Sequence, residues 1–228
     1  MLSKEEILQK LSKKRSAFSH SNLAEVDLSG ADLSDADFFG TDFTRANLEG
    51  AILDGACLDA AILDGTCLVE ASFNKTKLEE AKLDNADLTR AIFQDALLPN
   101  AQLNQAILVE TRFLKTDLDS VGFYDVQGNK ANFSGSKLYM ANLDYSNFSE
   151  ADFTMCNLQF ASFRETNLKG AILKKALLKQ ARLIDTNLED ADLSGAILEQ
   201  ADLQGAILTN AILMGARMRG VKNKPPLP

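Results

Sequence analysis

Residues 31–50 read ADLSD ADFFG TDFTR ANLEG, and residues 51–60 continue AILDG ACLDA. In every group of five the third residue is Leu or Phe and the first is Ala or Thr. The beat extends outward in both directions. From Phe18 to Met218 there are 41 positions spaced by five, and forty hold Leu, Phe or Met; the exception is Gly128. Two residues before each of them, from Ser16 to Ala216, all 41 positions hold Ala, Ser, Thr, Val or Cys. The register never slips by one.

A period of five fits neither regular element. An α-helix advances about 100° per residue, so five residues overshoot a turn by about 140° and would scatter the Leu side chains around the axis. A straight strand alternates faces every residue, so an odd period sends successive Leu to opposite sides. The chain must therefore bend once per pentad, returning each large residue inward. The small residue lies two positions before the large one and points the same way. The other three positions are rich in Asp, Asn, Ser, Lys, Glu, Gln and Gly and face water. A solenoid results, with a dry Leu/Phe and Ala interior. Phe73, Phe93, Phe113, Phe133 and Phe153 recur every twenty residues, which places them on one wall if four pentads make a turn.

The tandem Ala-(Asp/Asn)-(Leu/Phe)-X-X pattern over residues 16–218 resembles the pentapeptide-repeat family. The resemblance implies an all-β fold, a right-handed quadrilateral parallel β-helix of four pentads per coil, agreeing with the Phe spacing. Forty-one pentads then make about ten coils. At about 4.8 Å between stacked strands the rod is roughly 48 Å long. Near the N-terminus, Lys14-Arg15, Phe18, His20 and Asn22-Leu23 look like cyanobacterial members of that family, among them a regulator of heterocyst differentiation. The organisation expected is an N-terminal capping helix over 1–15, a repeat body over 16–220 and a tail over 221–228.

The open ends of a solenoid carry unpaired strand edges that must be blunted. Ser3 and Glu6 form a capping box, and Ile7, Leu8 and Leu11 make an apolar helical stripe. This predicts a helix lying as a lid on the first coil, a partner-binding helix being the other reading. The tail, Val221 to Pro228, contains Pro225, Pro226 and Pro228, which cannot donate to a ladder. It has no helical pattern, and the asymmetry predicts end-to-end pairing of two copies through the C-terminal coil. At Gly128 a missing Leu leaves a gap unless the backbone moves. Glycine suits a bulge or a positive φ, so the expectation is a local irregularity over 124–130, structural or functional.

All three Tyr lie close to Gly128 in the chain. With four pentads per coil, Tyr139, Met140 and Phe160 occupy the corner before the wall of Phe123, Leu143 and Phe163. Tyr124 and Tyr145 occupy the corner after it. Between them the outward residues are Gly122, Asn142 and Ser162. That describes a flat face with aromatic rims, a candidate protein-binding surface, against the bland reading that single exposed apolar residues need no explanation.

Net charge is −8 with one His, which argues against phosphate-driven nucleic-acid binding. The charge is uneven: +3 over residues 1–15, −10 over 16–70, −3 over 71–150 and +2 over 151–228. Asp27, Asp32, Asp35, Asp37 and Asp42 belong to the acidic stretch. They read either as a solvated surface or as an acidic docking surface for a basic protein. Some pentapeptide-repeat proteins resemble an acidic duplex and bind DNA gyrase, so the resemblance implies an acidic DNA-mimic as the alternative function. No apolar run of about 18 residues spans a membrane, no secretory signal begins the chain, and three Cys make no disulfide scaffold. A reducing cytoplasmic setting is expected.

Catalytic chemistry finds no foothold in the sequence. His20 has no nucleophile spacing around it. Cys57 and Cys67 face outward on opposite walls, too far to bridge or share a metal, and Cys156 takes an inward slot. No phosphate loop or calcium motif appears. The expectation is a non-enzyme without cofactor or metal, serving as an interaction scaffold for an unidentified protein partner.

Overall fold

The computed structural model describes residues 3–225. Parallel bridges join residues twenty apart without interruption, from Asn22 with Asp42 to Asp202 with Lys222. Four bridges complete one coil, and the coils stack as a four-sided rod whose ladder consists of single bridges rather than long strands. We number the walls by their inward residues: the first from Leu23, the second from Leu28, the third from Leu33 and the fourth from Phe38.

Each pentad turns a corner because its last residue is left-handed. Every such residue from His20 to Gly220 has positive φ, between 52° and 72°. Most are not glycine. A left-handed residue costs roughly 1–2 kcal/mol without compensation; here the compensation is a full set of hydrogen bonds. Taking Leu28 as the example, the turn closes with the Ala31 N–H on the Leu28 carbonyl at 3.0 Å. With a positive φ only at its second central residue, this is the type II pattern. The Leu28 N–H donates to Asn47 O and the Gly30 N–H to Glu49 O, both one coil on, while the Asn47 N–H donates back to Val26 O. Four of the five N–H groups in a pentad are thereby paired through the backbone.

The fifth N–H, on the residue after the large one, has no backbone partner, and the chain's Asp and Asn residues serve it in two ways. Where Asp or Asn precedes the large residue, its own side chain accepts, as Asp27 does from Ser29 N–H at 3.0 Å and Asp152 from Thr154 N–H at 2.8 Å. Where that place holds another residue, an Asp or Asn one coil earlier accepts instead at several positions. Asp54 accepts from Asn74 N–H, Asp59 from Glu79 N–H and Asp144 from Arg164 N–H. Backbone donors are rarely left unpaired, and this requirement accounts for most of the Asp and Asn residues.

The interior is filled as the repeat demands: the inward Leu, Phe and Ala from Phe18 to Ala211 are almost wholly buried in one continuous core. The five-Phe column stacks face to face, with centroids 4.4 Å apart for Phe73–Phe93, 4.7 Å for Phe93–Phe113, 5.1 Å for Phe113–Phe133 and 4.8 Å for Phe133–Phe153. Thr, Ser and Cys enter the small inward slot because each can donate to the turn carbonyl of the coil before, as Thr76 does to Leu53 O at 2.8 Å and Thr166 to Leu143 O at 2.8 Å. Cys156 does the same to Phe133 O; burial pushes its thiol up to about 12, so it stays protonated.

Gly128 corrects an expectation. The chain runs through 124–130 in register, without a bulge: the Gly128 N–H donates to Asn147 O at 2.7 Å, and its carbonyl accepts from Ala131. Its φ is not positive. The missing side chain is replaced from the next coil, where Phe148 leans into the space. A Cβ on Gly128 would lie 2.3 Å from Phe148 Cε1. Phe148 also meets Phe123, Phe133 and Phe153 edge to face.

The two ends differ. Helix α1 (Lys4–Lys13) begins at the Ser3/Glu6 capping box, with both reciprocal bonds formed. It buries Ile7 and Leu11 completely in the core cluster, and the Lys4 ammonium donates to Ser29 O. It is the only helix among the described residues. In the last coil Leu213, Ala216, Met218 and Val221 are only partly buried. The tail expected over 221–228 falls partly outside the described residues, at Pro226–Pro228.

Candidate functional site

The backbone places the predicted aromatic residues as two rims. Tyr124, Tyr139, Met140, Tyr145 and Phe160 are 36–56% exposed, because each sits at one of the two outward corner positions. On one rim Tyr139 meets Phe160 edge to face at 5.4 Å. On the other Tyr124 and Tyr145 lie 5.2 Å apart, tilted by 58°. Between the rims the first wall is floored by Gly122, Asn142 and Ser162, joined by consecutive bridges. The Ser162 hydroxyl oxygen is the one buried side-chain N or O atom without a hydrogen-bond partner among the described residues.

Carboxylates sit beside the rings. The Asp119 carboxylate accepts from Tyr139 N–H at 2.9 Å, and Asp144 accepts from Arg164 N–H at 2.8 Å. Asp125 accepts from the Gln105 side-chain amide at 3.4 Å. Burial pushes the Asp119 carboxyl above its ordinary range; the Tyr139 N–H pulls against it and neighbouring Asp117 adds to it. The sequence reading found the aromatic rims but missed the carboxylates among them. Their signal was available: Asp119, Asp125 and Asp144 fall at corner positions adjacent to the rims in the same twenty-residue frame.

The acidic candidates are distributed differently. Asp27, Asp32, Asp37 and Asp42 lie on four successive walls, bridged to Asn47, Ile52, Cys57 and Ile62 respectively. They form a girdle around the first coils, not a face. Each accepts a backbone N–H two residues ahead. The Ser29 N–H and hydroxyl hold the Asp27 carboxyl below its usual range, and Ser34 does the same for Asp32. Asp35 stands at a left-handed corner. The first coils are acidic in part because their turns need carboxylates.

Elsewhere the chemistry-bearing residues are packing residues. The His20 ring lies over Gly40, where a Cβ would come 2.7 Å from Nδ1, and meets Phe39 edge to face at 5.1 Å. Cys57 and Cys67 are half-buried free thiols on different walls. Among the described residues no three His, Cys, Asp or Glu side chains are arranged to hold a metal ion, and no helix is long and apolar enough to cross a membrane.

A sequence pattern of eight tandem repeats, described as pentapeptide repeats, matches the chain, with copies over residues 15–50, 28–65, 56–95, 131–170, 161–200 and 181–220. The chain belongs to the pentapeptide-repeat family, whose members imply a right-handed β-helix solenoid. It is 31% identical to HetL, a pentapeptide repeat protein involved in heterocyst differentiation regulation from the cyanobacterium Nostoc sp. strain PCC 7120, over 100% of both chains, with a TM-score of 0.44. It is also 31% identical to a pentapeptide repeat protein of the Arabidopsis thaliana thylakoid lumen, over 37% of this chain and 59% of that one, with a TM-score of 0.37. QnrB1, a plasmid-mediated fluoroquinolone resistance protein, is 16% identical over 90% of this chain and 85% of its own, with a TM-score of 0.36. No curated protein sequence matches the chain.

Proposed function

We propose that this rod is a non-catalytic protein–protein interaction scaffold that binds a protein partner in the cytoplasm through the aromatic-rimmed first wall. The observation that carries the reading is the pairing of exposed rings, Tyr139 with Phe160 and Tyr124 with Tyr145, on both sides of a floor of small and polar residues. Exposed aromatic side chains on a rigid surface bury much area at little entropic cost, and such residues dominate binding energy at interfaces. A regulatory role in a cyanobacterium-like host is the biological setting we favour, on the full-length likeness to HetL.

The test is affinity capture from host lysate with mass spectrometry, comparing the wild type with Tyr139→Glu/Phe160→Glu. The expected result is a partner held by the wild type and lost by the variant. The same proteins captured by both would overturn the assignment of the face. Gyrase subunits retained by both would favour the acidic DNA-mimic, which has less support because its carboxylates ring all four walls and are engaged by turn N–H groups. We further propose end-to-end pairing of two copies through the last coil, where Leu213, Met218 and Val221 are incompletely buried. Light scattering at micromolar concentration should give the dimer mass; a monomer mass would sink the pairing.

A further inference from the structure

We propose that the partner of the first wall presents an arginine or lysine side chain, held at the corner formed by Tyr124, Asp125, Asp144 and Tyr145. The inference rests on the scaffold reading above and adds the chemistry of the occupant. The twenty-residue frame makes these four residues a checkerboard. Tyr124 and Asp125 are the two corner residues of one coil, and Asp144 and Tyr145 are those of the next. The rings therefore occupy one diagonal and the carboxylates the other. The tyrosines meet at 5.2 Å and 58°, leaving ring faces and carboxylates within reach of the same incoming group. A cation over an aromatic face gains from the ring quadrupole, and a neighbouring carboxylate adds a charge-assisted hydrogen bond.

The surrounding charge is mostly negative. From Gln102 to Tyr145 the first wall and its two flanking corners carry Asp119, Asp125 and Asp144 and no Lys or Arg; in the next coil Arg164 stands beside Asp144 but lies 3.5 Å from the Glu165 carboxylate. Of the other bases in these coils, Lys130 and Lys137 belong to other walls, and Lys137 is already paired with Asp117 at 2.9 Å. Asp144 spends one carboxylate oxygen on the Arg164 N–H and Asp119 one on the Tyr139 N–H; the second oxygen of each has no partner among the described residues. Carboxylates committed on one side and open on the other are fixed in place before a ligand arrives. Preorganisation of this kind reduces the ordering cost of binding.

The chain has no Trp and three Tyr, all on these rims, so its intrinsic fluorescence reports this face alone. The experiment titrates the full-length protein with a twelve-residue peptide of alternating arginine and threonine, and with its isostere carrying citrulline for arginine. The expected result is saturable tyrosine quenching by the arginine peptide, about tenfold weaker with the citrulline peptide. Asp125→Asn/Asp144→Asn should also weaken it about tenfold, because asparagine keeps an oxygen for the Arg164 N–H but removes the charge. Unchanged circular dichroism establishes that this variant is folded. Equal binding of both peptides would overturn the cation inference while leaving the face a protein-binding surface. Absence of quenching by the arginine peptide, or quenching indifferent to the double variant, would overturn it also. The lysate capture with the Tyr139/Phe160 variant reads the scaffold assignment separately.

Discussion

Gly128→Leu is expected to destabilise the rod, although it restores the repeat, and Phe148→Leu in the same chain is expected to rescue it. The added side chain meets Phe148 at once, since even a Cβ would stand 2.3 Å from Cε1 and 2.5 Å from Cδ1. Overfilling a close-packed interior costs about 1–3 kcal/mol. Phe148→Leu alone errs the other way: the ring leaves Gly128 uncovered and abandons its edge contacts with Phe123, Phe133 and Phe153. That loss should cost about 2 kcal/mol, less than the 3–5 of a Phe→Ala truncation. Together the two changes restore a Leu in each coil, and the double variant should lie within about 1 kcal/mol of wild type. Urea midpoints of the four proteins form the cycle. Additive losses would mean that the two positions do not share one volume.

The second large effect is expected at Phe133→Ala. This ring stacks on Phe113 at 5.1 Å and Phe153 at 4.8 Å and takes the edges of Phe123 and Phe148 at 5.8 and 5.7 Å. Truncation should cost about 3–5 kcal/mol. In a solenoid each coil is held only by its neighbours, so a weak middle uncouples the two halves. Tyrosine fluorescence reads the coils around residues 124–145, and circular dichroism reads the whole rod. In the wild type the two should unfold together; in the variant fluorescence should move at lower urea. Coincident transitions in the variant would show that the stack is not what joins the halves.

The fold was legible because its cause is periodic. The five-residue beat and the Phe column from Phe73 to Phe153 both depend on spacing, and the parallel bridges repeat that spacing. The capping helix was legible from Ser3 and Glu6 for the same local reason. Gly128 was misjudged because its compensation lies twenty residues away, in Phe148, and a gap read along the chain says nothing of a larger neighbour stacked upon it. The role of Asp54, Asp59 and Asp144 was hidden likewise, since each serves an N–H in the following coil. In retrospect the signal was a substitution in step: Asp54 stands where the next coil has Ser72 in place of Asp or Asn, and Asp59 where it has Lys77. The twenty-residue frame also brings Tyr124 to Tyr145 and Tyr139 to Phe160, the pairs whose rings meet. The acidic stretch was read along the chain, where it is dense, although steps of five residues spread Asp27, Asp32, Asp37 and Asp42 over four walls.

The uninterrupted register gives every residue an address: its number modulo twenty names its wall, and its quotient names its height. Inserting or deleting twenty residues would lengthen or shorten the rod by about 4.8 Å and leave every remaining face aligned. Inserting five would turn everything downstream by a quarter and carry Tyr139, Tyr145 and Phe160 away from Gly122 and Tyr124. Duplications within such a gene are therefore of two kinds. Whole-coil events preserve a surface and change only its reach, whereas single-pentad events keep the interior intact and reshuffle which outward residues share a side. A lineage can thus acquire a new binding face in one step without altering a core residue.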